Sequence, residues 1–128
     1  MAFKFSFANQ YNRERLFDVD TTGLEYFELR DVFSNQDEVW IIEAMYINTK
    51  GLFDDRPCVV AHRVDEVDPF RCYLNLPAHL CEICREILKD KNAVAAINAG
   101  RVGFTIYKYN AQNYSNRECY SIKWVDIT

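Results

Sequence analysis

The run Val39–Ile47 (VWIIEAMYI) constrains the fold more than any other stretch of this chain. It is β-branched and aromatic with one charge, and it reads as a long central strand that other strands must flank. The neighbouring segments fit that role. Tyr26–Phe33 (YFELRDVF) alternates, with Phe27, Leu29 and Phe33 on one face and Glu28 and Arg30 on the other, the pattern of a half-buried strand. Ser34–Asp37 is a turn. Pro57 opens a strand over Cys58–Val64, where a missing amide donor does least harm, and Phe70–Leu74 is a short strand or extended segment. Two further strands, Val102–Tyr109 and Cys119–Ile127, close the chain around a polar loop, Asn110–Arg117.

One helix is clear. Pro77 stands in its first turn, Leu80, Ile83, Cys84, Ile87 and Leu88 recur at helical spacing, and Lys89 and Lys91 suit its C-terminal end. A shorter helical piece, Ala93–Ala99, runs into Gly100, placed as a C′ glycine. The order is strand, long strand, strand, helix, strand, strand, which is the order of an OB barrel. The expected fold is therefore all-β to α+β: a five-stranded OB-like barrel over residues 24–128 with one helix between strands 3 and 4. Residues 1–23 form an N-terminal extension that ends at the Thr21–Thr22–Gly23 turn. The competing reading of the same string is a different small α+β sheet with the helix on one face.

Length and composition agree with one domain. The chain has 128 residues, 49% hydrophobic and 15% aromatic, enough for a sizeable core. No apolar run reaches membrane-spanning length, and the N-terminus lacks the apolar stretch of a signal peptide. The five cysteines then read as reduced thiols in a cytoplasmic setting. The net charge of −4 disfavours a whole-surface polyanion binder. Its distribution is uneven. Residues 1–43 hold four basic and nine acidic side chains, whereas residues 44–63 hold three and two, and residues 100–128 hold four and two.

Those two basic segments also carry a resemblance. YINTKGLFDDRPCVVAH (Tyr46–His62) has a Lys-Gly turn, an aromatic residue and a proline-opened strand. GRVGFTIYKYNAQNYSNRECYSIKWVDI (Gly100–Ile127) is a hairpin ending in Trp-Val-Asp. Together they cover about a third of the chain and resemble phage and mobile-element single-stranded-DNA-binding proteins of the OB-fold class. The resemblance implies a protein of the bacterial host cytoplasm that coats single strands in replication or recombination and self-associates. The partner is single-stranded nucleic acid, DNA rather than RNA. One departure is Asp54–Asp55, two carboxylates that repel a phosphate backbone.

Single-strand binders combine a positive groove with aromatic faces on which bases stack. If Phe104 and Ile106 are core, Tyr107 and Tyr109 point outward, and with Lys108, Tyr114 and Arg117 they form a candidate ladder. The bland reading is aromatic packing against the N-terminal extension. Phe53 is a candidate loop-tip stacker or a staple folded back on its loop. Lys50, Arg56 and Arg63 are candidate phosphate contacts or ordinary solvated surface. Trp40, Tyr46 and Trp124 lie in apolar strands and are expected in the core.

Cys81-x-x-Cys84 with His79 nearby offers one cysteine pair inside a helix. A zinc site needs four ligands brought together by turns, so these cysteines read as small buried hydrophobes. No metal, cofactor or catalytic motif is indicated. The leading expectation is a non-catalytic single-stranded-DNA-binding protein. The alternative is a protein-interaction module on the same fold, with the acidic N-terminal region as partner surface.

Overall fold

The computed structural model describes residues 16–49, 55–64, 70–111 and 117–128. Their backbone is mostly β, six strands in one curled half-barrel sheet with few helices. β1 (Tyr26–Glu28) leads into a short helix, α1 (Leu29–Val32), and then β2 (Val39–Asn48), β3 (Arg56–Arg63) and β4 (Arg71–Asn75). A 3-10 turn at Ala78–Leu80 opens α2 (Cys81–Lys89), followed by α3 (Lys91–Asn98), β5 (Val102–Ala111) and β6 (Arg117–Asp126). The spatial order is β1-β4-β3-β2-β5-β6. Every pairing is antiparallel except β1 with β4. Strands β2, β3 and β4 are consecutive neighbours, and β5 returns through the helices to lie beside β2. That is a Greek key.

The expected barrel had five strands and one helix between the third and fourth. The sheet has six strands, and a pair of helices lies between the fourth and fifth. Part of the discrepancy arises in Tyr26–Phe33, expected as one strand. Leu29, Val32 and Phe33 also fit the i, i+3, i+4 spacing of a helix face, and Leu29 and Val32 are buried on it. The Asp31 carboxylate accepts a hydrogen bond from the Glu28 N–H at 2.9 Å, which closes a capping box and ends β1 after three residues. The segment expected at Phe70–Leu74 supplies the remaining strand, as β4. The second helix also begins earlier than expected, at Lys91, because Asp90 caps it through the N–H groups of Asn92 and Ala93. It ends at Gly100, whose φ of 72° fits the left-handed C′ position.

β2 is buried deeply and paired on both edges. Trp40 and Ile42 are fully buried, with Val59 and Ala61 of β3, Cys72 and Leu74 of β4, and Phe104 of β5. Leu80, Cys84 and Ile97 bring the helices onto this core. The β2–β3 register slips between Ile42 and Ala44, so Glu43 is an extra residue in a bulge. Before the bulge the even-numbered side chains point inward. After it Met45 faces Val59 in the core and Tyr46 points out.

Residues 16–25 cross the outer face of the sheet as a strap. Asn98 Nδ2 donates to the Leu16 carbonyl at 2.9 Å, and Arg71 Nη2 donates to the Asp20 carbonyl at 2.9 Å. The Tyr73 N–H donates to the Glu25 carbonyl at 2.9 Å. Phe17 is 5% exposed and meets the Tyr46 ring edge-on at 6.3 Å. The described part of the expected extension is thus folded onto the domain. No helix among the described residues is long and apolar enough to cross a membrane.

Gly103 lets β5 approach β2. A Cβ there would stand 2.5 Å from the Trp40 carbonyl oxygen, a contact with backbone that cannot rotate away. Gly103→Ala is expected to destabilise the fold by about 1–3 kcal/mol, as overpacking does. Urea denaturation measures it; a midpoint equal to wild type would show that the two strands separate freely.

Candidate functional site

The described site residues expected from sequence divide into two groups. Arg56, Tyr109 and Arg117 line one cleft of about 330 Å³, together with Glu28, Arg30, Asn75 and Tyr120. The cleft lies between two pairs of strand ends. On one side are the end of β1 and the start of β3. On the other are the end of β5 and the start of β6. Arg56 stands where the 49–55 connection enters β3, and Tyr109 and Arg117 flank the connection from β5 to β6. Lys50, Phe53 and Tyr114, the remaining loop candidates, lie outside the described residues.

Tyr107 and Tyr109 share the outer face of β5, as the alternation around Phe104 and Ile106 requires. Their ring centroids are 5.8 Å apart, and Tyr109 is 38% exposed. Lys123 of β6 holds its Nζ 5.8 Å from the Tyr107 ring. The strap does not cover this pair; it crosses the sheet at Tyr46 and Arg71 instead. Lys108 points to the opposite face, with its Nζ 5.8 Å above the Phe33 ring.

Arg63 is placed elsewhere. It ends β3, seven residues from Arg56 and so about 23 Å away along the strand. Its guanidinium lies 5.1 Å from the Trp40 ring centroid, and its Nε is 3.3 Å from Glu38 Oε1. It holds one end of the core and does not reach the cleft.

The charges within the cleft are unequally engaged. Arg56 Nη1 is 2.8 Å from Glu28 Oε1, and its Nε donates to the Leu76 carbonyl at 3.0 Å. Glu118 Oε1 accepts from the Tyr120 hydroxyl at 2.6 Å, which pushes the Tyr120 phenol up from its usual value. Arg30 and Arg117 have no carboxylate partner among the described residues. Among the described residues of the cleft, three guanidiniums therefore face two carboxylates, and two of the three have no carboxylate partner there. The acidic departure in the neighbouring loop is partly neutralised, because Arg85 of α2 pairs with Asp55.

Sequence reasoning missed Arg30, Tyr26 and Tyr120. Arg30 was legible as a solvent-facing charge, but nothing in the sequence folds it towards β6; α1 does that. Tyr46 and Trp124 were expected in the core and are each 38% exposed. For Tyr46 the cause is the bulge at Glu43.

Four of the five cysteines, Cys58, Cys72, Cys81 and Cys84, are buried, whereas Cys119 is half-buried at the cleft. Burial pushes the thiols of Cys58 and Cys72 up to about 12 and that of Cys84 up to about 11, far from the thiolate that metal binding or redox chemistry uses. Among the described residues no three His, Cys, Asp or Glu side chains gather as a metal site.

No family model, no curated protein and no solved structure matches the chain. What the cleft can do follows from its own side chains. It offers guanidiniums to an anion, with the exposed ring of Tyr109 beside Arg117 on the β5–β6 hairpin for a flat group.

A second polar cluster lies on the outer face at the opposite end of β3 and β4 from the cleft. The bulged Glu43 receives Arg71 on both carboxylate oxygens, at 2.9 and 2.8 Å, and His62 Nδ1 lies 2.9 Å from Oε2. Burial works to raise the Glu43 carboxyl, but the hydrogen bonds from Arg71 and His62 outweigh it and hold the group below its usual 4.5. A depressed carboxylate adds stability above its unfolded value and loses it as pH falls through the folded one. Glu43→Gln is expected to cost about 1.5–3 kcal/mol at pH 7, the worth of hydrogen bonds to a charged group. The gap to wild type should close below the usual carboxylate range. Denaturation at neutral and acid pH reads it; a gap of constant size would show that charge at Glu43 is irrelevant.

Proposed function

We propose that the chain is a non-catalytic single-stranded-DNA-binding protein on an OB-like barrel, acting in replication or recombination. The observation that carries this reading is the cleft, where the exposed Tyr109 ring meets Arg30 and Arg117, which have no carboxylate partner among the described residues, between the stems of two loops.

The sheet supports the barrel assignment once the strands are counted from β2. Without β1, the order β4-β3-β2-β5-β6 is antiparallel throughout and contains the Greek key. An OB barrel is a five-stranded, partly open Greek-key barrel. In this count the helices fall between the third and fourth barrel strands. The 49–55 connection becomes the loop between barrel strands 1 and 2, and the β5–β6 connection the loop between strands 4 and 5. These are the two loops with which OB barrels hold oligonucleotides. Counting from β1 instead assigns the first of them to the wrong pair of strands.

The chemistry suits a single strand. Arg30 and Arg117, without a carboxylate partner among the described residues, can pair with phosphates as planar forks. Tyr109 and Tyr107 present rings on which bases stack without regard to sequence. The acidic overall charge keeps such binding local to the cleft rather than spread over the surface.

Titration with oligo-dT tests the reading. Binding should weaken with salt, because phosphate contacts release counterions. Arg117→Ala should lower the affinity and flatten the log–log salt slope by about 0.7, the share of one phosphate contact on a single strand. Tyr109→Ala should cost about 1–3 kcal/mol and leave the slope unchanged. Affinity that ignores salt, or no binding at micromolar protein, would refute the proposal and favour the protein-interaction module.

A further inference from the structure

Beyond the cleft, one pair of rings stands out on β1 and β4. Tyr26 is 59% exposed, the most exposed aromatic ring among the described residues. It sits on the three-residue edge strand, stacked on Tyr73 with ring centroids 4.3 Å apart and planes 8° from parallel. Its neighbour Phe27 turns inward and joins the core. One face of the Tyr26 ring is covered by Tyr73, and the ring is held rigidly in solvent.

The register connects this pair to the cleft. Tyr26 is opposite Tyr73, and Glu28 is opposite Asn75. Glu28 and Asn75 line the cleft. Residues two apart on a strand share a face, so the tyrosine pair stands on the cleft's own face, about 6–7 Å further along. The strap restricts the alternatives. It crosses the outer face at Tyr46 and Arg71, and Arg71 is occupied by Glu43 and the Asp20 carbonyl. A chain leaving the cleft on this side meets Tyr26 before it meets the strap.

We propose that Tyr26, backed by Tyr73, is a further base-stacking subsite that extends the single-strand path out of the cleft along β1. The inference rests on the single-stranded-DNA reading above and adds a position outside the five barrel strands. The described cations near this end, Arg56 and Arg71, are already engaged, so among the described residues the subsite contributes stacking and no phosphate pairing. Two consequences separate it from the cleft. It matters only for oligonucleotides long enough to reach it, and its loss leaves the salt dependence unchanged.

The experiment compares wild type, Tyr26→Ala, Tyr26→Phe and Arg117→Ala by fluorescence anisotropy of labelled oligo-dT. Two lengths are used, about 4 and about 16 nucleotides, the two ends of the range of OB-domain site sizes. Tyr26→Ala is expected to weaken the long oligonucleotide roughly 5- to 100-fold, the worth of one stacked base. It should leave the short one within about two-fold and keep the wild-type salt slope. Tyr26→Phe should bind both as wild type does, and Arg117→Ala should lose affinity for both. Circular dichroism confirms that the exposed substitution leaves the fold intact. If wild type binds and Tyr26→Ala loses nothing on the long oligonucleotide, or loses both lengths equally, the subsite is overturned while the binding function stands. If wild type binds neither length, the functional reading itself fails, and the subsite with it.

Discussion

The structure depends on keeping β2 dry. A strand with so many large apolar side chains must be paired along both edges and covered on both faces. β3 and β5 supply the edges. The core and helices cover one side, and the strap with its anchors at Asn98 and Arg71 crosses the other. The remaining architecture follows. β4 and β6 complete the curl, and β1 with α1 fills the edge beside β4. The cleft forms where that added edge segment faces the β5–β6 stem.

This arrangement gives the site rigid walls. Arg56 is fixed by Glu28 and a backbone carbonyl, and Tyr109 by its place in a ten-residue strand. Arg30 rides on α1, whose turn is set by the capping box at Glu28 and Asp31. A binding surface built on strand ends and a capped helical turn loses little conformational entropy when it is occupied. On the proposed single-strand reading, stacking and ion pairing use different side chains along one path.

Much of this was legible in the sequence where one period dominates. β2, β3, β5, β6 and the paired helices follow from alternation or helical spacing, and so does the outward pair Tyr107 and Tyr109. The misses share one physical cause, a local event that periodicity does not record. At Leu29–Phe33 the same apolar residues satisfy both a strand and a helix, and a hydrogen bond from the Glu28 N–H to Asp31 decides between them. At Glu43 a bulge inverts the alternation, so Trp40 and Tyr46, equivalent by sequence parity, end on opposite faces. The cleft itself was only half visible. Arg56, Tyr109 and Arg117 could be named, but Glu28 and Arg30 enter through an edge strand and its following helix, and that strand pairs in parallel with β4, a long-range partnership absent from any local pattern.

The extra residue at Glu43 also makes chain length, and not only chemistry, a property of this strand. The two halves of β2 are out of phase, and one residue holds the offset. Side-chain replacements elsewhere in the strand leave that phase alone. Deleting Glu43 would make Ile42 and Ala44 consecutive opposite Ala61 and Val60, restoring regular alternation with Met45 still inward and Tyr46 still outward, and would remove the carboxylate that Arg71 and His62 grip. The added length at this point therefore serves to place a charge on the outer face and does not set which downstream side chains enter the core.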